Sequence, residues 1–170
     1  MTNWTDKNWT HRFEIIYKCR LSALYHRKRE RFFALCEKIT TAISLIAGAG
    51  AMTDLLDTVT LKAYAGAVVV LFTMPSIVFS WGDKSRSHAL LASKFISLES
   101  EIEGGGILGD FKLNKFHEIV LRLDMEEPPQ LSLLTRICQN EISYSSGQFE
   151  KITQIHWLKK KFAHFFDFPV

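Results

Sequence analysis

Two apolar stretches joined by a short polar connector constrain this chain more than any motif in it. The first, Ile39–Leu56, reads ITTAISLIAGAGAMTDLL, and the second, Ala63–Trp81, reads AYAGAVVVLFTMPSIVFSW and carries no charged residue. A helix needs roughly 20 apolar residues to cross the hydrocarbon core of a bilayer. The second stretch meets that length; the first is broken near its end by Asp54. Between them lie only Asp57, Thr58, Val59, Thr60, Leu61 and Lys62. The pattern predicts a two-span hairpin. What is left of the 170 residues is enough for a small helical body and too little for a large separate enzyme core.

The distribution of Lys and Arg sets the expected orientation. Lys18, Arg20, Arg27, Lys28, Arg29, Arg31 and Lys38 precede the first stretch, and Lys84, Arg86 and Lys94 follow the second. The connector offers Lys62 alone, against Asp54 and Asp57. Both termini are therefore expected in the cytoplasm. The polar start, with no small-residue cleavage pattern after the first apolar run, does not read as a signal peptide. Cys19, Cys36 and Cys138 are odd in number and match no metal spacing, so they read as reduced apolar fillers.

Outside the hairpin the periodicity is helical. Phe13, Ile16, Tyr17, Leu21, Leu24, Phe32 and Leu35 make an apolar stripe on a charged helix, and nothing breaks the run into Ile39. That helix is expected to continue into the first span. Pro75 lies inside the second span, where it removes a backbone hydrogen bond. Further helices are expected over 85–103, 110–123 and 131–144, separated by Gly104-Gly105-Gly106 and by Glu126-Glu127-Pro128-Pro129. No strand alternation or internal repeat is visible. The expected fold is an all-α membrane protein, a two-helix transmembrane hairpin with N- and C-terminal cytosolic helices that assembles as a homo-oligomer. Its expected parts are a basic amphipathic helix (1–38), the hairpin (39–81), a cytosolic helical domain (82–154) and a basic aromatic tail (155–170).

No catalytic constellation is present. GxSxG, P-loop, HExxH and paired CxxC motifs are all missing. No histidine has a carboxylate or a second histidine at ligand spacing, so neither enzymatic activity nor a cofactor is expected. The basic run has two readings. Its charges anchor the first span at anionic headgroups, or Arg20, Arg27, Lys28 and Arg31 form a phosphate-binding surface, three of them at helical spacings of seven and four. Ser44/Gly48, Ala47/Ala51 and Ala63/Ala67 are small pairs four apart that let helices approach closely in lipid. Two helices cannot enclose water, so any pore needs several copies. Thr40, Thr41, Ser44 and Gly48 are then candidate wall residues, with Glu37 and Lys38 at the cytosolic mouth. In the tail, Lys159-Lys160-Lys161 stands beside Trp157, Phe162, Phe165, Phe166 and Phe168. Three roles fit: an interfacial helix on the inner leaflet, a nucleic-acid surface, or an aromatic gate or plug.

Two features together carry a resemblance. Tyr25-His26-Arg27-Lys28-Arg29 runs into the hairpin, and Arg122-Leu123-Asp124-Met125-Glu126-Glu127-Pro128-Pro129 is followed by Cys138-Gln139-Asn140-Glu141. Over about residues 12–150 this resembles the SLATT family, two-span effectors of bacterial anti-phage nucleotide signalling, and is most like the channel subunits of Hailong systems. The resemblance implies a homotetrameric, ligand-gated ion channel of the bacterial inner membrane that depolarises an infected cell and aborts infection. It further implies closure by single-stranded oligodeoxyadenylate from a partner nucleotidyltransferase, with a cyclic nucleotide as the other ligand. The residues alone leave open a small non-conducting membrane adaptor or prophage exclusion protein.

Overall fold

The computed structural model describes residues 6–52 and 59–168. Trp4, Asp54, Asp57 and Thr58 fall outside them. Six α-helices follow one another: α1 (Asp6–Met52), α2 (Val59–Phe79), α3 (Trp81–Gly104), α4 (Asp110–Glu126), α5 (Ser132–Ser145) and α6 (Trp157–Phe162), with a 3-10 turn at Phe149–Lys151 before α6. The described residues contain no strand. At 47 residues α1 runs from the charged N-terminal segment through the apolar stretch without interruption, as the lack of Pro and early Gly predicts. α2 starts at Val59, before its apolar stretch, and stops at Phe79, where Ser80 takes a left-handed φ of 46° and ends it. The Ser80 N–H and hydroxyl both donate to Ile77 O. α4 stops before Pro128, and Gly106 and Gly147 supply the positive-φ turns after α3 and α5.

The chain divides into two compact units, one of Met1–Lys28 with His88–Val170 and the other of Arg29–Ser87. The first is a helical body with an apolar core. Ile15, Cys19 and Ala23 line one face of α1, four residues apart. They pack with Phe95, Leu98 and Ile102 of α3, with Leu113, Phe116, Val120 and Leu123 of α4, and with Leu108. A second cluster joins Tyr25 to Leu134 and Cys138 of α5. Both buried thiols are pushed up to about 12, chiefly by burial; they are inert filler, as expected.

Polar contacts fasten the ends of the body's helices. Arg12 donates to the carbonyls of Ile102 (2.8 Å), Glu103 (3.2 Å) and Gly106 (2.9 Å). A guanidinium there meets the negative end of α3 and its unpaired carbonyls. At the start of α5, the Leu131 N–H donates to the Tyr25 hydroxyl (3.0 Å) and the Ser132 N–H to the Asp167 carboxylate (2.8 Å). Asp167 thus caps α5 and holds the C-terminal segment against the body.

The second unit, containing the hairpin, inverts this pattern. Leu45, Ile46, Tyr64, Leu71, Met74, Ile77 and Val78 are all exposed, and α2 has no buried residue. Among the described residues two helices are long and apolar enough to cross a membrane, and the apolar window of the second has 0% of its residues buried. A core helix of a soluble protein would bury that face. At one end of the unit basic and aromatic side chains interleave: Arg29 lies 4.4 Å from the Phe33 ring, Lys84 lies 5.8 Å from both Phe33 and Phe79, and Phe79 stacks on Trp81. Aromatic and cationic residues mixed in this way suit a membrane–water interface.

Candidate functional site

Hydroxyl side chains interrupt the hairpin's apolar surface at a cleft between α1 and α2. Thr40, Thr41, Ser44 and Leu45 of α1 and Thr73 and Ser76 of α2 line a cleft of about 250 Å³. The hydroxyls are ordered by their neighbours. Thr40 Oγ1 donates to its own helix, within 2.9 Å of both Cys36 O and Glu37 O. Thr73 Oγ1 donates to Val69 O at 2.6 Å and lies 3.1 Å from Ser44 Oγ. With the Thr73 proton committed to Val69, Ser44 is the donor between them. Ser44 Oγ therefore keeps its lone pairs. Pro75, between Thr73 and Ser76, has no N–H for the carbonyl of Leu71. Hydroxyls from both helices thus gather on one strip of the hairpin.

Three of the wall candidates read from sequence, Thr40, Thr41 and Ser44, meet in this cleft. Thr73 and Ser76 complete it and were not anticipated. Gly48 does not line it, and a Cβ built on Gly48 would meet nothing within 4 Å. Its smallness is therefore not used in packing the hairpin on itself. Glu37 reaches across to Gly82, where its carboxylate would lie 2.5 Å from an added Cβ. Lys38 is exposed.

The candidate phosphate ligands are differently placed. Arg20 pairs with Glu99 and, at 2.6 Å, with Glu103; the hydrogen bond to Glu99 is the main cause of its raised pKa. Lys28 pairs with Glu141 at 2.6 Å. An anion at either position competes with a carboxylate. Arg27 and Arg31 are exposed on α1.

A buried polar cluster escaped the sequence reading. His26 Nδ1 and His88 Nδ1 lie 2.7 Å apart, and His26 Nε2 lies 3.2 Å from Glu127 Oε1. The His26 side chain is 0% exposed and that of Glu127 5%. The imidazole–carboxylate contact has the distance of an ion pair without hydrogen-bond alignment. Burial works to raise the Glu127 carboxyl, but the contact with His26 and the hydrogen bond from Gln130 together outweigh it and hold the group below its ordinary value. Two Nδ1 atoms in contact require opposite tautomers, one donating and one accepting. His26 stacks on Phe95 and meets Tyr25 edge-on, so the cluster ties α1, α3 and the turn after α4 around one point of the core. The histidines stand 62 residues apart in sequence, and local spacing carries no sign of such a pair.

Among the described residues of the tail, helix forms over Trp157–Phe162, shorter than an interfacial helix over 155–170. Phe162, Phe165 and Phe166 are exposed and Phe168 is half-buried. Among the described residues no group of three or more His, Cys, Asp or Glu could hold a metal ion. No protein-family model matches this chain, and neither a curated protein nor a solved structure does.

Proposed function

We propose that this chain is a two-span protein of the bacterial inner membrane whose hairpins associate around their hydroxyl strips to form a homo-oligomeric ion pore. One observation carries the reading. Thr40, Thr41, Ser44, Thr73 and Ser76 are gathered on one strip of a hairpin whose neighbouring Ile46, Leu71 and Ile77 are apolar and exposed. Facing lipid, that strip would strand polar groups in hydrocarbon, which is costly. Turned toward other copies, it lines an aqueous path while the exposed leucines, isoleucines and valines meet lipid. Closed cyclic assembly is the usual form for such a contact, and a tetramer is the expected number.

The SLATT resemblance extends the proposal to biology: an anti-phage effector whose opening depolarises the cell, gated at its basic cytosolic residues by an oligodeoxyadenylate or a cyclic nucleotide. Arg20, Arg27 and Arg31 of that set are exposed, and Arg20 is engaged by Glu99 and Glu103. The test of conduction is planar-bilayer recording of the purified full chain. Discrete conductance in the wild type, strongly reduced by Ser44→Leu with Thr73→Val, is the expected result. A silent wild-type protein that inserts normally would favour the adaptor reading.

A further inference from the structure

The C-terminal segment presents an apolar and basic surface that nothing in the body covers. Leu158, Phe162 and Phe166 recur every four residues, so they share one side of α6 and the turn that follows it. They are 44%, 48% and 58% exposed, and Trp157 beside them is 58% exposed. Ala163 is wholly buried on the other side. The turn persists past α6, because the N–H groups of Phe165 and Phe166 both donate to Phe162 O. Phe162, Phe166 and Phe168 form a chain of ring contacts at 6.5 and 6.0 Å. Three consecutive lysines, Lys159, Lys160 and Lys161, stand among these residues and are all exposed, with Lys161 Nζ 5.2 Å from the Trp157 ring. The surface is also held in place, by the buried Ala163 and by Asp167 on the Ser132 N–H.

We propose that this surface is a docking site for the anionic face of the bilayer. Aromatic rings and leucine would enter the headgroup–acyl boundary, while the lysines meet lipid phosphates. Charge complementarity selects this occupant. Three adjacent cations beside large apolar side chains match a surface that is anionic and apolar at once. A closed pore mouth would have to bring the lysines of every copy together. Each lysine near an anionic surface multiplies affinity about fivefold, so neutralising all three should cost about a hundredfold. Because one end of the segment is tied to α5, lipid contact would couple the body to the membrane at a second place besides the hairpin. The inference rests on the membrane reading of the hairpin and is independent of conduction.

The experiment places a nitroxide at Phe166→Cys, and separately at Trp157→Cys, in the full-length chain carrying Cys36→Ala. The buried Cys19 and Cys138 thiols, pushed up to about 12, resist labelling. The protein is incorporated into nanodiscs of phosphatidylcholine alone or mixed with phosphatidylglycerol. Incorporation itself tests the hairpin, so a chain that stays out of the disc contradicts the membrane reading and not this one. Collision with lipid-soluble oxygen and with a water-soluble nickel chelate then locates the label. The expected result is a severalfold rise in the oxygen-to-nickel ratio in anionic discs. It should fall when Lys159, Lys160 and Lys161 become Gln, and fall again as salt goes from about 0.1 M to about 1 M, where the screening length drops to about 3 Å. Three results would overturn the proposal. One is high nickel access in both lipids. Another is a label shielded from both probes, as in an aromatic plug. The last is shielding that appears only when an oligonucleotide is added.

Discussion

The body and the hairpin are built from the same helix type and much the same apolar residues, yet they place them oppositely. In the body, Phe95, Ile102 and Leu113 are fully buried and the surface is laced with ion pairs such as Lys18–Asp124 and Arg20–Glu99. In the hairpin, Ile46, Leu71 and Ile77 are exposed and hydroxyls gather in the cleft. α1 contributes to both. The difference lies in pattern more than in hydrophobicity. A stripe of Ile15, Cys19 and Ala23 repeats at helical period and leaves the other faces polar, so one side must be covered. The run from Ile39 is apolar on every side but the one that carries Thr40, Thr41 and Ser44, which suits a helix that meets hydrocarbon over most of its surface.

Core truncation should separate the two units most sharply. Phe95→Ala removes a fully buried ring and should cost about 3–5 kcal/mol. Leu71→Ala, on the outer face of α2, should change stability in detergent by no more than about 0.5 kcal/mol. Thermal unfolding of the purified variants in one detergent makes the comparison. Similar losses at both positions would mean that the hairpin has a packed interior of its own.

The next largest effect lies in the buried cluster. Glu127→Ala leaves His26 Nε2 facing an apolar gap and should cost about 1–3 kcal/mol. The pH dependence has a definite sign. The folded carboxyl titrates below its ordinary value, so its contribution is fully present above the unfolded value of about 4.3 and is lost as pH falls through the folded value. Denaturation midpoints of the wild type should therefore fall in acid, and Glu127→Gln should flatten that limb. An unchanged acid limb would remove Glu127 from the account.

The body's helix ends offer a smaller test. Arg12→Ala exposes the last carbonyls of α3 and should cost about 1 kcal/mol, with Lys restoring part of it because a point charge cannot match the forked guanidinium. Full rescue by Lys would show that charge, not the fork, is what matters. Smallest of all, Ser80→Gly relieves a left-handed residue between α2 and α3 and should stabilise the hairpin by up to about 1 kcal/mol. Destabilisation would mean that the Ser80 hydroxyl on Ile77 O outweighs the backbone strain.

Local pattern made the helices legible. The uninterrupted α1, the breaks at Gly104–Gly106 and Pro128, and the core stripes follow from period and punctuation alone. The exposed apolar hairpin was legible too, since a run with apolar residues on most sides cannot hide them all against one small partner. Half the cleft was legible: Thr40, Thr41 and Ser44 stand out as hydroxyls in the first stretch. Thr73 and Ser76 were missed because only the register between α1 and α2 brings Ser44 to Thr73. Arg12 and the His26–His88–Glu127 cluster were hidden for the same reason. Each is a contact between distant segments, and a lone polar residue on a charged helix looks like solvent-facing surface until its partner is placed.

The central claim is that the hydroxyl strip faces water inside an assembly while the apolar faces meet lipid. Substituted-cysteine block tests it most directly. Thr41→Cys and Leu71→Cys, each with Cys36→Ala, are recorded in a planar bilayer while a charged methanethiosulfonate is added. The account predicts abrupt loss of current for Thr41→Cys and no change for Leu71→Cys. Block at Leu71 with Thr41 unreactive would contradict it.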